Sequence, residues 1–323
     1  MSAGNSTYTT LVTTTLQNHG KEIFDNVSTN NALLWMLRKA GNIKVVPGGR
    51  KFTHPVIWAK NSSFQMYDKL DPIALTVTDG ITRAEYDIKV AAGSITLSTI
   101  EEAMNAGDRE KLIDLADEKR LEAEISMTEL LGDQVFDLGT TSTHFGGLQY
   151  LINETPSAQT DVGGINSNAT AASWWINDWD ATAISGFNTT SEGLSNWNDR
   201  LNNTTFGRMG PRAVITTKTI YALYEIGLTS NIRYAQTDLA DAGFRHLQFT
   251  TMPVLFDDSC PSGNTYFIDT DNLWLQVLSQ ANMQVTQFQL KDDQLARSAL
   301  MYIAGNLTTG SRRTNAVQNS TTG

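Results

Sequence analysis

The sequence predicts an α+β protein, because strand-type and helix-type patterns occupy separate segments before they alternate near the end. Residues 42–98 have the pattern of strands, and residues 101–136 have that of one long amphipathic helix. From Pro211 onward, strand and helix patterns alternate. With 323 residues, of which 40% are apolar, the chain can bury a core as one large domain or as two joined ones.

Charge and cysteine content exclude several classes of protein. A net charge of −10 argues against a broad basic face that binds nucleic acid. Cys260 is the only cysteine, so no internal disulfide or multi-thiolate metal cluster forms, which suits assembly in a reducing cytoplasm. Residues 1–20 lack a secretion signal, and no stretch approaches the roughly 18 apolar residues of a membrane helix. We therefore expect neither secretion nor a membrane span.

Residues 1–41 are predicted to form an N-terminal arm. Its first part, "STYTTLVTTTLQN", has too little apolar periodicity to define an element, and we expect it to become ordered on contact. The arm ends in "NNALLWMLRKAG", which is typical of a short amphipathic helix with Asn30 or Asn31 as N-cap and Gly41 as stop.

Residues 42–98 are predicted to form an extended β-hairpin loop. Strand patterns in "IKVV", "KFTHPVIW", "IALTV" and "ITRAEYDIKV" are separated by turns such as "PGGR" and "DG", with Tyr86, Ile88 and Val90 on one face. An isolated hairpin is marginally stable in water, so this loop must pack against another surface.

Residues 101–136 are predicted to form a helix that extends roughly 40 Å. A helix of this length is long for a compact enzyme and is typical of a structural spine. The alternative interpretation is an ordinary surface helix on a globular core. Its apolar positions fall near one face: Leu112, Leu115, Ala116, Ala123, Met127, Leu130 and Leu131.

The region after Pro211 is predicted to be an α/β layer. "PRAVITT", "GFRHLQF" and "MPVLFD" have strand patterns, "KTIYALYEIGL" has a helix pattern, and "NTYFIDTDNLWLQVL" indicates strand, turn and strand. The tail "NLTTGSRRTNAVQNSTTG" has few apolar residues and is expected to fray.

Two Gly-Gly pairs, Gly146/Gly147 and Gly163/Gly164, follow the long helix. They match no phosphate-binding motif. Because glycine reaches positive φ at little cost, we interpret them as a joint between domains.

No catalytic, cofactor-binding or metal-binding constellation is predicted, so we expect no enzyme. "DTDNLW" begins like a calcium loop but has Leu273 at a ligand position. We interpret the tryptophans at 174, 175 and 179 as residues that pack in the core or at an interface. The alternative is that they stack on sugars. The histidines are widely scattered: His19, His54, His144 and His246.

The order of these parts resembles the major capsid proteins of tailed double-stranded-DNA bacteriophages, the Hong Kong 97-like fold. The best local matches are "FGGLQYLI" and "VGGINSNATAASWW", which are similar to the passage from the spine helix into the axial domain. A second match is "AGFRHLQFTTMPVLFDDSCPSGNTYFIDTDNLWL" from Ala242, although Thr251 stands where many relatives have glycine.

The resemblance implies four regions. The N-terminal arm covers 1–41, the extended loop 42–98, the peripheral domain with its spine helix 99–144 and 276–323, and the axial domain 145–275. The axial domain would form the centre of pentamers and hexamers, and the loop would overlap a neighbouring subunit. Such a chain would self-assemble into an icosahedral capsid that encloses the phage genome.

The implied partners are other copies of the chain, a separate scaffolding protein, a portal, and packaged DNA held without sequence specificity. A decoration protein is a further candidate partner. Capsids would assemble in the host cytoplasm. The alternatives are a cellular nanocompartment shell with the same fold, or a sugar-binding surface or tail protein.

The loop and the long helix have opposite charge. Six basic residues and no acidic ones lie between Asn26 and Tyr67, whereas twelve acidic and four basic residues lie between Glu101 and Asp137, giving +6 and −8. We predict an inter-subunit contact, with two separately solvated surfaces as the alternative. The residues predicted to meet are Arg50, Lys51 and Lys60 of the loop and Glu118 and Glu122 of the helix.

Overall fold

The computed structural model describes residues 31–69, 71–72, 79–100, 103, 109–159, 161–168, 170–187, 192–228, 247–290 and 295–319, with only the backbone at 109–117 and 170–171. The described α-helices are α1 (Ala32–Lys39), α2 (Arg109–Phe136), α3 (Leu148–Leu151), α4 (Gly193–Thr204) and α5 (Lys218–Gly227). The described strands are β1 (Ile43–Val46), β2 (Lys51–Ile57), β3 (Ile81–Asp87), β4 (Lys89–Ser98), β5 (Asp178–Asp180), β6 (Ala213–Thr216), β7 (Leu247–Phe249), β8 (Met252–Phe256), β9 (Asn264–Ile268), β10 (Leu273–Leu278), β11 (Gln284–Val285), β12 (Gln289–Leu290), β13 (Ala296–Thr309) and β14 (Ala316–Asn319).

The long helix α2 confirms the predicted helix over its described part. Met127, Leu131 and Val135 are buried, and their i, i+4 spacing defines the apolar stripe. Leu130 was expected on the same face but is 40% exposed, because it lies beside the buried stripe and not within it. None of the described helices is long and apolar enough to cross a membrane.

The chain divides into two compact units, and the first contains residues 92–129 and 284–301 among its described parts. Within it, β12 pairs antiparallel with the start of β13. The amide of Thr286 donates to the Leu300 carbonyl at 2.9 Å, and that of Thr99 donates to the Leu295 carbonyl at 3.0 Å. The first bond connects the residue after β11 to β13, and the second connects the residue after β4 to the residue before β13.

The second unit contains residues 30–91, 130–283 and 302–323. Here β10 pairs antiparallel with the end of β13 and parallel with β1, which aligns Ile43 with Leu275. Strand β1 was predicted to belong to the extended loop. It is instead a sheet strand, so the free part of the loop begins after Val46.

A second sheet in this unit has the strand order β5-β14-β9-β6-β8-β7. Central β6 pairs parallel with β8 and antiparallel with β9, as expected for an α/β layer. Its core surrounds Trp197, which is fully buried. The ring centroids within 4.6 to 5.6 Å of Trp197 are those of Phe187, Tyr224, Phe249 and Phe267.

The C-terminal segment is ordered through Asn319, so the prediction that the tail frays is wrong for residues 306–319, while residues 320–323 lie outside the described part of the chain. Strand β14 pairs with β9 and β5 in the second sheet, so the assignment of 276–323 to the peripheral domain is corrected for this strand. Several buried polar side chains of this segment are hydrogen bonded to distant parts of the chain. For example, the Asp269 amide donates to the Asn315 Oδ1 at 2.8 Å.

Helix α1 begins after Asn31 and ends before Gly41, which has a φ of +70°, as predicted. The Asn31 side chain does not cap the helix, however. A buried carboxylate from a distant loop does so instead, since the Leu33 amide donates to Asp257 Oδ2 at 3.0 Å. This bond fixes the start of α1 to the loop after β8.

Candidate functional site

The hairpin formed by β2 and β3 has one buried face. Its antiparallel register places Phe52 opposite Tyr86, and both side chains are buried together with Val56 and Ala84. Alternating residues of a strand point to opposite faces, so these four form the face that packs against the rest of the chain. The hairpin was predicted to pack against another surface. For the base of the hairpin, that surface belongs to the same chain.

Residues of β10 and β13 form the surface beneath the hairpin. The Tyr86 hydroxyl donates to the Thr309 carbonyl at 2.9 Å. The His54 ring is stacked on Trp274 with 4.8 Å between centroids, and the Lys44 Nζ lies 4.0 Å from the Trp274 ring centroid. Burial, and to a smaller extent Lys44, lowers the pKa of His54 to about 4, so the ring is neutral at pH 7.

Two of the predicted joint glycines shape the turn beside the hairpin. Gly163 and Gly164 have φ values of +63° and +74°, as the sequence argument expected. The Gly163 carbonyl accepts a hydrogen bond from the Glu85 amide at 2.8 Å. A Cβ on Gly163 would lie 3.1 Å from Tyr86 Cζ, so glycine is required for this close approach as well.

The other Gly-Gly pair, Gly146 and Gly147, requires glycine because of close packing. A Cβ on Gly147 would lie 2.4 Å from the Asp137 backbone nitrogen, and one on Gly146 would lie 2.7 Å from the Tyr150 ring. Neither glycine has a positive φ, so close packing at the end of α2, and not backbone freedom, explains them. All four glycines lie inside the second unit, and their role as a joint between the peripheral and axial domains stays a prediction.

The positive charge of the hairpin base is partly compensated within the chain. Lys51 Nζ lies 3.4 Å from Asp87 Oδ1 and 3.5 Å from Glu85 Oε2 on the opposite strand. Asp87, more than Glu85, raises the pKa of Lys51. Lys51, one of the residues predicted to meet another copy, therefore already has acidic partners in its own chain, while Arg50 and Lys60 are exposed.

The acidic residues proposed to meet these cations lie on α2. Glu118 and Glu122 are exposed, and Glu122 pairs with Lys119 at 2.8 Å in its own helix. The contact with Arg50 and Lys60 of another copy stays a prediction.

The tip of the hairpin exposes apolar side chains, which the sequence reasoning missed. Phe64 is 86% exposed and Ile57 is 77% exposed. Trp58, Met66 and Ile81 are also exposed. A signal was present in "IWAKNSSFQM", where apolar residues flank a polar turn. Adjacent exposed apolar residues are typical of surfaces that bind another molecule.

The tryptophan cluster divides into three environments. Trp175 is buried, and its Nε1 donates to the Val162 carbonyl at 2.9 Å, so the packing prediction is confirmed there. Trp174, also predicted to be buried, is only half-buried, and Trp179 is 42% exposed on edge strand β5. Packing thus explains Trp175 and only part of the cluster.

Other candidate chemistry has structural explanations where the chain is described. Asp269 Oδ2 accepts a hydrogen bond from the Asn272 side chain at 2.7 Å, so this carboxylate stabilises a turn. Burial raises the pKa of the Cys260 thiol, which keeps it protonated. The described residues contain no group of three or more His, Cys, Asp or Glu suited to a metal ion. His19 and His246 lie outside the described residues.

No protein-family model and no curated protein matches the sequence. Solved structures do match its fold. The chain is 15% identical to the capsid of Cyanophage A-1(L), with 95% of this chain and 97% of that chain covered and a TM-score of 0.70. It is 14% identical to the capsid of a native GTA particle, with coverage of 94% and 95% and a TM-score of 0.60.

A third similar structure is the SrpI encapsulin complex from Synechococcus elongatus PCC 7942, with 9% identity, coverage of 96% and 94%, and a TM-score of 0.56. In all three, the match extends over nearly the whole of both chains. The chain therefore has the Hong Kong 97-like capsid fold.

Proposed function

We propose that the chain is the major capsid protein of a tailed double-stranded-DNA bacteriophage and self-assembles into an icosahedral shell of pentamers and hexamers. The observation that carries this proposal is the full-length fold similarity to the cyanophage capsid. The match covers 95% of this chain and 97% of a capsid subunit, which supports a structural role. We propose accordingly that it catalyses no reaction.

The hairpin supports self-assembly independently of that similarity. Its base is packed on β10 and β13, while Ile57, Trp58 and Phe64 at its tip are exposed. Burying such side chains contributes roughly 25 cal/mol for each Å² removed from water, so a tip that binds another copy stabilises a shell. Arg50 and Lys60 would add contacts with Glu118 and Glu122 of that copy.

The remaining partners follow from the capsid function. A separate scaffolding protein would direct shell size, a portal would occupy one vertex, and packaged DNA would be held without sequence-specific contacts. A decoration protein would bind the outer surface. Assembly would take place in the host cytoplasm, and the mature protein would reside in the virion.

Electron microscopy and sedimentation of the purified full-length chain test the proposal. We expect closed shells of uniform size under assembly conditions. A chain that stays monomeric at every protein and salt concentration tried, and also with a cognate scaffolding protein, would contradict the proposal.

A second candidate is the shell of a cellular nanocompartment, which the similarity to the encapsulin complex favours. The contents of native particles distinguish the two functions. Nuclease-resistant double-stranded DNA supports the phage capsid, and a packaged enzyme in place of DNA supports the nanocompartment.

A further inference from the structure

The segment between Asn306 and Thr309 bonds to both strands of the hairpin. Asn306 Nδ2 donates to the Asp87 carbonyl at 2.7 Å. The Tyr86 hydroxyl donates to the Thr309 carbonyl at 2.9 Å. The Thr308 Oγ1 lies 3.1 Å from His54 Nε2, within hydrogen-bond distance. Because β2 and β3 are both engaged, this segment restrains the direction in which the hairpin leaves the sheet.

Arg312 lies three residues after this segment, and its guanidinium is fully buried. Its Nε donates to the Leu151 carbonyl at 2.7 Å, and its Nη1 donates to the Trp175 carbonyl at 3.0 Å. Its Nη2 donates to Gln159 Oε1 at 2.5 Å and to Asn177 Oδ1 at 3.0 Å. All four acceptors are neutral oxygens, and burial lowers the pKa of Arg312 to about 10.

A buried cation is costly unless hydrogen bonds replace the water that it loses. The planar guanidinium is suited to this position, because its five N–H groups diverge toward acceptors on separate segments. Arg312 therefore fixes the relative positions of α3, the turn at Gln159 and the backbone at 175–177.

One route from Arg312 to the hairpin passes through Trp175. The carbonyl of Trp175 accepts from Arg312, and its Nε1 donates to the Val162 carbonyl at 2.9 Å. Val162 directly precedes Gly163, whose carbonyl accepts from the Glu85 amide of β3.

A second route passes through Gln159 and ends at the same glycine. The Gln159 Nε2 donates to the Tyr150 carbonyl at 3.0 Å, and the Gly163 amide donates to the Tyr150 hydroxyl at 3.1 Å. Two separate routes thus connect the Arg312 guanidinium to the turn against which Tyr86 and Ala84 of the hairpin pack.

We propose that Arg312 is a positioning residue that sets the direction of the β2–β3 hairpin, with residues 306–312 as the latch that holds its base. The consequence for shell assembly rests on the proposed capsid function. The positioning itself is a property of the single subunit and does not.

Hydrogen–deuterium exchange of the unassembled full-length chain tests this role. The variants are Arg312→Met, which removes every donor, and Arg312→Lys, which keeps the charge. The matched control is Arg313→Met, because Arg313 is exposed and its Cζ lies over the Phe206 ring, 3.6 Å from the ring centroid. Exchange is compared between the hairpin peptides, 51–57 and 81–87, and the sheet peptides, 213–216 and 264–268.

We expect hairpin amides of Arg312→Met to exchange about tenfold faster or more, because several bonds to a charged donor are lost. The sheet amides should keep their protection. Arg312→Lys should show a smaller increase confined to the hairpin, and it decides the question if Arg312→Met does not fold. Arg313→Met should leave both regions unchanged.

Equal acceleration in the hairpin and the sheet would show that Arg312 is an ordinary core residue and would overturn the proposal. Unchanged hairpin exchange in both Arg312 variants would overturn it too. Assembly assays separate this inference from the proposed function. Hairpin-selective exchange in a wild-type chain that never forms shells would support the inference and contradict the capsid function.

Discussion

The sheet around Trp197 and the β2–β3 hairpin are both rich in aromatic residues, but they bury them differently. Trp197 and its four ring neighbours are enclosed by the second unit. The hairpin buries Phe52 and Tyr86 at its base and leaves Trp58 and Phe64 exposed at its tip. We propose from this comparison that the sheet stabilises the single subunit, whereas the tip would stabilise its association with another copy of the chain.

The largest effect that would test this comparison is the loss of Trp197. Trp197→Ala should reduce the free energy of unfolding by about 3 to 5 kcal/mol, because it leaves a large cavity in the core. The matched variant Trp58→Ala should stay within about 0.5 kcal/mol of the wild type. Urea unfolding of unassembled subunits measures both. Equal destabilisation by the two variants would remove the distinction between sheet and hairpin.

Substitution of the neighbouring residues Trp174 and Trp175 compares a half-buried with a buried tryptophan. Trp175→Ala should cost about 3 kcal/mol or more, since it removes a buried ring and leaves the Val162 carbonyl without its donor. Trp174→Ala should cost less, because Trp174 is only half-buried. Thermal unfolding of the two variants checks the order. A larger loss of stability from Trp174→Ala than from Trp175→Ala would show that burial in the subunit does not determine how much each tryptophan stabilises it.

The base of the hairpin should respond to pH through His54. The pKa of His54 is lowered from its ordinary value of 6.5 to about 4, chiefly by burial and then by Lys44. The neutral ring is therefore favoured in the folded state, and its contribution, complete above pH 6.5, is lost as the pH falls through about 4. We expect hydrogen exchange of residues 51–57 to accelerate over this range.

The control for this effect is His54→Gln, which cannot titrate. Its hairpin exchange, corrected for the intrinsic pH dependence of amide exchange, should change less between pH 7 and pH 4 than that of the wild type. An identical pH dependence in the two proteins would mean that His54 does not control hairpin docking.

The smallest effect concerns the charges around the hairpin. Exposed ion pairs contribute only about 0 to 1 kcal/mol each and weaken as salt rises. Arg50→Glu together with Lys60→Glu should slow assembly at low salt without changing subunit stability, as light scattering and urea unfolding would show. Reversal of Glu118 and Glu122 to Lys in the same chain should partly restore assembly. Normal assembly by the Arg50/Lys60 variant would rule this contact out.

Much of the second sheet could be predicted from sequence, because its strands coincide with runs of strand-forming apolar residues and these residues are buried. The strands at Ala213–Thr216, Met252–Phe256 and Asn264–Ile268 lie where Val, Ile and Phe are concentrated. The buried C-terminal segment was mistaken for a fraying tail, since composition does not show that Arg312 and Asn315 find hydrogen-bond partners far away in sequence. Buried polar networks are specified by tertiary structure, which explains this failure.

The hairpin shows the same division between local and tertiary information. Its strands were predicted, but pairing of Lys51 with Asp87 depends on a register that brings them directly opposite each other. The positive φ of Gly163 and Gly164 was expected from the sequence, but only the packing shows that Gly147 is required for a close approach to the backbone of Asp137.

The central claim is that a neighbouring copy covers the hairpin tip. A cryo-electron microscopy map of particles assembled from the full-length chain tests it most directly, through the surroundings of Phe64 and Met66. We predict that both side chains, exposed in the single subunit, are buried against an adjacent subunit in every pentamer and hexamer. Closed shells in which these two side chains remain in solvent would contradict the account.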